Sequence, residues 1–288
     1  YPLKCAAWSP KADFFAVGSR DSALRVFETG TGRLHKQIAC DGFVMDTAFS
    51  PIGGQIATAE SNGRVRVWDL TSGEPRHAYE VPGQVISCLA WSPDGHSLAF
   101  GAWDGAIRVA EVQKSKEPRS WPSGNGQVQC LVWDRDGKVL ASSGLLGGTR
   151  FWDAATGTLQ RQEDGVLSNG RLTEADLGPL RAHSASGWVR GVSPDEERFA
   201  DGIGSALTIR NRQTNEIDRI LCSLTDGHGL TFTPDGRWTG DTSAAETPVY
   251  IVQHADRQEN LTAERFEVRY GKGRRLGEVK SQNPERLD

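Results

Sequence analysis

Residues 85–112 read VISCLAWSPDGHSLAFGAWDGAIRVAEV, and this stretch decides the fold. Val85 to Trp91 is a short apolar strand. Ser92-Pro93-Asp94-Gly95 is a turn in which the proline presets one φ and the glycine accepts a positive one. A second strand begins at Ser97 and runs to Gly101, Trp103-Asp104-Gly105 is another tight turn, and 106–112 is a third strand alternating Ile107 and Val109 against Arg108. A fourth, more polar strand follows, as an outer strand with one solvated side should be.

The phrase recurs along the chain. Its landmarks are Trp8-Ser9-Pro10, Phe49-Ser50-Pro51, Trp91-Ser92-Pro93, Trp133-Asp134-Arg135, Val192-Ser193-Pro194 and Phe232-Thr233-Pro234, with successive gaps of 41, 42, 42, 59 and 40 residues. Phe27-Glu28, Trp68-Asp69, Ala110-Glu111 and Trp152-Asp153 each follow a landmark by 19 residues. A pitch of about 40 to 45 residues with such pairs marks one four-stranded propeller blade. The expected fold is all-β, a toroid of four-stranded antiparallel blades, with Trp8, Phe49, Trp91, Trp133 and Phe232 buried between them.

The pairs Phe27-Glu28, Trp68-Asp69 and Trp152-Asp153, with Thr31-Gly32, Ser72-Gly73 and Thr156-Gly157 after them, resemble the WD40-repeat β-propeller family. Six blades are recognisable. A seventh, common in that family, would come from residues upstream of Tyr1 or from the tail. The resemblance implies a buried His, Ser or Thr, Asp and Trp network in each blade, which is incomplete here. The turn acid survives as Asp21, Asn62 and Asp104 but becomes Leu146 and Gly204, and no Gly-His pair precedes the first strands. Residues 232–238 followed by Leu261-Thr262 and 266–271 are similar to the ends of bacterial WD40 regions attached to signalling modules.

The 59-residue gap exceeds its neighbour by 17 residues, too few for a blade. We expect residues 1–253 to form the propeller with an insertion at about 163–187, which is a surface loop or a partner-binding one. Residues 254–288 are expected to form a short C-terminal helix at 263–270, capped by Thr262 and ended by Gly271, and then a basic tail.

A net charge of −4 gives no general attraction for nucleic acid or an anionic membrane. No apolar run approaches the ~20 residues of a membrane helix, and no signal peptide is visible. The five cysteines are odd in number and unpaired in spacing. Cys5, Cys88 and Cys130 each stand three residues before a landmark tryptophan, as equivalent small buried strand residues. A reducing, cytoplasmic setting follows.

The six histidines make no metal-ligand spacing. Gly202-Ile203-Gly204 is a blade turn followed by a strand, where phosphate capture needs a helix N-terminus. Neither metal nor cofactor is expected. The function read from this pattern is a non-enzymatic protein-interaction platform, or the regulatory or sensor propeller of a larger protein, binding a protein partner or another domain of its own chain. No nucleic acid, membrane or small-molecule substrate is expected. The alternative is a propeller enzyme with its active site in the central channel, where Asp46 is the one acid on the inner strands.

Propellers of this resemblance dock partners on the face made by the second-to-third strand turns and the loops between blades. Carried over position by position, the residues before the turn acid are Arg20, Ser61, Trp103, Leu145 and Ile203. Those six before a first-strand landmark are Phe43, Val85, Gln127 and Ser186. The expected protein-binding set is Arg20, Phe43, Ser61, Val85, Trp103, Gln127, Leu145 and Ile203. Several of these are large apolar groups where solvated turns normally carry polar ones.

Overall fold

The computed structural model describes residues 3–114 and 117–163, then 189–193, 197–203, 206–211, 213–214, 217–223, 229–232, 238–240, 249–253 and 258–262. The 164–187 part of the expected insertion, the 263–270 helix and the basic tail lie outside the described residues, as does Ser186.

The first four repeats each form one four-stranded antiparallel sheet in sequential order. The first holds β1 (Leu3–Trp8), β2 (Phe14–Ser19), β3 (Ala23–Glu28) and β4 (Leu34–Ala39). The second holds β5 (Val44–Phe49), β6 (Gln55–Glu60), β7 (Arg64–Asp69) and β8 (Pro75–Glu80). The third holds β9 (Ile86–Trp91), β10 (Ser97–Ala102), β11 (Ala106–Glu111) and β12 (Arg119–Pro122). The fourth holds β13 (Val128–Trp133), β14 (Val139–Gly144), β15 (Thr149–Asp153) and β16 (Leu159–Glu163). Gly95 has φ +70° in the turn between β9 and β10, the conformation read for it from the sequence.

First and second strands are almost wholly buried, because both faces pack against neighbouring sheets, whereas β4, β8, β12 and β16 are largely exposed. Trp8, Phe49, Trp91 and Trp133 lie buried between sheets, and Trp68 and Trp152 are buried on strands. The landmark tryptophans do more than fill space. Trp91 Nε1 donates to the Ala48 carbonyl of the preceding sheet at 3.1 Å, and Trp133 Nε1 to Ala90 at 3.0 Å. Trp91 and Trp133 therefore each fix their blade to the one before it.

Inner strands lie side by side in the order β1, β5, β9, β13. A fifth sheet begins with β17 (Val189–Val192), β18 (Arg198–Ile203), β19 (Ala206–Asn211) and β20 (Ile217–Ser223). Its first strand lies beside β1, and Ala200 and Ile209 join the core formed by Trp8, Phe15 and Phe27. Along the chain the fifth sheet follows the fourth; in space it is next to the first. That return is the topology of a propeller.

One feature departs from the repeat. β21 (Gly229–Phe232), the strand of the sixth landmark, pairs with β20, and β22 (Trp238–Gly240) pairs with β21, so the fifth sheet has six strands. The fourth strand of this repeat reads IDRILCS, and the stretch of it that pairs with β21, Ile220 to Ser223, holds no charged residue, whereas β4, β8 and β16 are mostly polar and carry Lys36, Arg76 and Arg161. An apolar edge without charged guards accepts a further strand. The Phe232 side chain lies outside the described residues. β23 (Val249–Gln253) and β24 (Gln258–Thr262) form a separate antiparallel pair.

Candidate functional site: the rim of the second-to-third strand turns

Each of the first four inner strands carries a bulge near its start, between Leu3 and Cys5, Val44 and Asp46, Ile86 and Cys88, and Val128 and Cys130. Just beyond it the two rows of expected residues meet. Ser61 N–H donates to the Phe43 carbonyl at 2.9 Å, Trp103 N–H to Val85 at 3.0 Å and Leu145 N–H to Gln127 at 3.0 Å. The structure thus brings six of the expected residues together as three successive rungs at one end of the second, third and fourth sheets. Phe43 N–H also donates to Ser61 Oγ at 3.0 Å.

The turns above these rungs satisfy their own polar groups. Asp104 accepts the Ala106 amide at 2.9 Å, Asp21 the Ala23 amide at 3.1 Å and Asn62 the Arg64 amide at 3.2 Å. Two residues further along, arginines at equivalent third-strand positions close the charge: Arg25 pairs with Asp21, Arg66 with Glu60 and Arg108 with Asp104. Large apolar side chains share the solvent-facing surface with these turns. Phe43 is 45% exposed, Trp103 48%, Leu145 61% and Leu146 77%, while Val85, Ser61 and Gln127 are partly exposed. Arg20 is exposed, with its guanidinium 6.0 Å from the Phe43 ring centroid. Ile203 ends β18 at the corresponding place; its side chain lies outside the described residues.

Two rim residues escaped the positional reading. Leu146 stands where the turn acid should be, and that substitution was its signal. Lys4 occupies the bulge of β1, a position that only the register reveals.

Beneath the rim the second sheet rebuilds the incomplete polar network with different chemistry. Trp68 Nε1 donates to Thr58 Oγ1 at 2.9 Å, and Thr58 donates to Glu60 at 3.3 Å. The Glu60 carboxylate is fully buried, accepts the Asp41 and Gly42 amides at 3.1 Å each, and is held by both Arg66 Nε and an Arg66 terminal nitrogen. A glutamate and an arginine replace the missing Gly-His link. In the fourth sheet Trp152 Nε1 reaches Ser142 Oγ at 2.8 Å in the same way.

Asp46, the inner-strand acid, is buried and occupies the repeat position held elsewhere by Cys5, Cys88 and Cys130. Burial pushes its carboxyl up to about 7, opposed by the amide hydrogen bonds of Leu89 and Thr47. Burial also raises the thiols, Cys130 to about 12, so they are poor nucleophiles at neutral pH. Among the described residues no three His, Cys, Asp or Glu side chains are grouped to share a metal ion, and no helix is long and apolar enough to cross a membrane.

Comparison with known proteins agrees with this architecture. The family model of the anaphase-promoting complex subunit 4 WD40 domain matches residues 6–88 and 79–134, and that of the WD domain, G-beta repeat, matches 116–153. Over 74 residues the chain is 35% identical to the probable cytosolic iron-sulfur protein assembly protein Ciao1 of Culex quinquefasciatus, a match covering 24% of this chain and 22% of that protein. These matches support assignment to the WD40 repeat family.

Proposed function

We propose that this chain, with its WD40 repeats, is a non-enzymatic protein-interaction platform that receives its partner on the rim of Phe43, Val85, Trp103, Leu145 and Leu146. WD40 repeats typically mediate protein interactions, and the names of the two proteins it resembles, a subunit of a complex and an assembly protein, agree with a scaffold role. The observation that carries the reading is the exposure of Trp103 at 48% beside turns whose polar groups are already paired. Large apolar side chains in solvent are costly to keep unless a partner covers them, and Trp is the residue most enriched among interface hot spots.

The finer parts of the proposal are that the propeller regulates a larger protein of the bacterial signalling type and works in the cytoplasm. An active site in the channel has less support. Asp46 would have to serve it, and its oxygens already accept the Leu89 and Thr47 amides at 2.9 Å each.

A photoreactive residue placed at Trp103, with Ile52 at the opposite end of the second sheet as control, tests the docking face in cells. A partner crosslinked from position 103 and not from 52 is expected. Equal recovery from both positions would remove the rim assignment.

A further inference from the structure

Resting on the rim as the docking face, we infer that its occupant is an extended peptide segment of a partner protein that bears a carboxylate at the first-sheet end and large apolar side chains toward the third and fourth sheets.

The inference starts from how charge is distributed around the rim. Arginines on the second and third sheets there are neutralised: Arg64 by Asp41 and Glu80, Arg66 by Glu60 and Asp41, and Arg108 by Asp104. On the first sheet Arg25 is held by Asp21. Lys4 and Arg20 are different. They lie at the mouth of the first sheet, at the bulge of β1 and the end of β2, and neither meets an acid among the described residues. They are near enough to repel: burial first, and then the Arg20 charge, lower the Lys4 pKa. Two cations held together without a counter-ion are stabilised by any anion that arrives between them.

The neighbouring surface supplies the rest of the recognition. The Arg20 guanidinium lies toward the Phe43 ring, so the cationic spot runs directly into the apolar one. Beyond Phe43 come Val85 and Trp103 on the third sheet, then Leu145 and Leu146 on the fourth. Packed sheets stand ~10 Å apart. From Arg20 on the first sheet to Trp103 on the third is then about 20 Å, which an extended chain spans in roughly six residues. The planar guanidinium fork of one arginine matches a single carboxylate in two places, and the lysine adds a point charge beside it, so one Asp or Glu side chain is enough to occupy the spot. Charge gives such a complex its orientation and association rate, and the buried aromatic gives most of its affinity.

Selection of displayed random 12-residue peptides on the whole chain, followed by anisotropy measurements with a labelled winner at several salt concentrations, tests this. Enriched peptides should carry Asp or Glu about four to six residues from a Trp, Phe or Leu. Arg20→Gln, and separately Lys4→Gln, should weaken the labelled peptide at least fivefold and flatten its salt dependence. Trp103→Ala should weaken it at least tenfold and leave the salt dependence in place. Circular dichroism establishes that each variant is folded; Arg20 is exposed and its side chain makes no hydrogen bond among the described residues, so its variant serves even if the Lys4 variant does not fold.

Winners without acids, or affinity unchanged by Arg20→Gln while Trp103→Ala abolishes binding, would overturn the carboxylate and leave the docking face standing. Tighter binding by a phosphoserine version would overturn it in favour of a phosphopeptide. Winners indifferent to Trp103→Ala, or no enrichment at all, would overturn the peptide-binding rim itself.

Discussion

The Asp46 carboxylate in the second sheet accepts the Leu89 amide of the third sheet at 2.9 Å. Leu89 is a first-strand residue whose amide is not used in the pairing with β10, and a side chain from the neighbouring blade satisfies it. The contact holds two inner strands together where their own hydrogen-bonding edges cannot. Its strength depends on the ionisation of a buried group.

That dependence gives a stability profile with a definite sign. Burial raises the Asp46 carboxyl from 3.8 to about 7, so the folded chain keeps a proton that the unfolded chain releases in between. Stability contributed by this group is complete below pH 4, falls as pH rises toward 7 and is level above it. The loss is on the order of 4 kcal/mol at most. The nearby Cys5, Cys88 and Cys130 thiols are raised and do not titrate in this window. Asp46→Asn should remove the slope from melting temperatures measured between pH 5 and 8, and an unchanged slope would assign it to other groups.

Glu60 should be the most sensitive polar residue of the second sheet. Glu60→Ala leaves Arg66 with Asp41 alone and strands the Asp41 and Gly42 amides and the Thr58 hydroxyl at once. Breaking one side of a buried pair typically costs about 3 to 5 kcal/mol. Urea unfolding should show a loss of that order; a loss below about 1 kcal/mol would mean that solvent replaces the carboxylate freely.

Gly101 is fixed by a close approach. A Cβ added there would stand 2.6 Å from Val128 Cβ and 3.0 Å from Cys88 Sγ, inside the seam between the third and fourth sheets. Gly101→Ala should therefore cost roughly 1 to 3 kcal/mol through displaced packing. Thermal unfolding unaffected by the change would show that the seam yields.

Two tryptophans should separate stability from binding. Trp91 is buried and donates to Ala48, so Trp91→Ala should lose about 3 to 5 kcal/mol of stability. Trp103 is half exposed and contributes its backbone alone to the rung with Val85. Trp103→Ala should alter stability by no more than about 0.5 kcal/mol while weakening partner binding by roughly 2 kcal/mol or more. Equal effects of both substitutions on melting would place Trp103 in the core.

Outer strands should tie neighbouring blades together. Lys36 Nζ donates to the Thr71 carbonyl at 2.9 Å, and Arg119 to Ala154 at 3.0 Å, each from a fourth strand to a turn of the next sheet. Arg119→Ala combined with Lys36→Ala should lower stability by about 1 to 2 kcal/mol in total, measured by denaturant titration. Additive losses are expected because the two clasps lie in different sheets; no loss would show that the seams hold without them.

By itself the sequence determined the blades. The pitch of Trp8, Phe49, Trp91 and Trp133, the Ser-Pro and Asp-Gly turns, and the alternation of Ile107 and Val109 around Arg108 are local patterns, and strand geometry follows from them directly. The rim was legible for the same reason: equal offsets from each landmark bring Phe43, Val85, Trp103 and Leu145 to equivalent places. Tertiary structure decided what depends on neighbours distant in sequence. It placed the fifth sheet beside the first, joined β21 to the edge of β20, and recruited Glu60 and Arg66 into a network the repeat pattern lacked. It also separated the arginines paired with acids from Lys4 and Arg20, which meet no acid among the described residues. Hydrogen bonding and charge neutralisation are properties of pairs, and only folding decides which residues become partners.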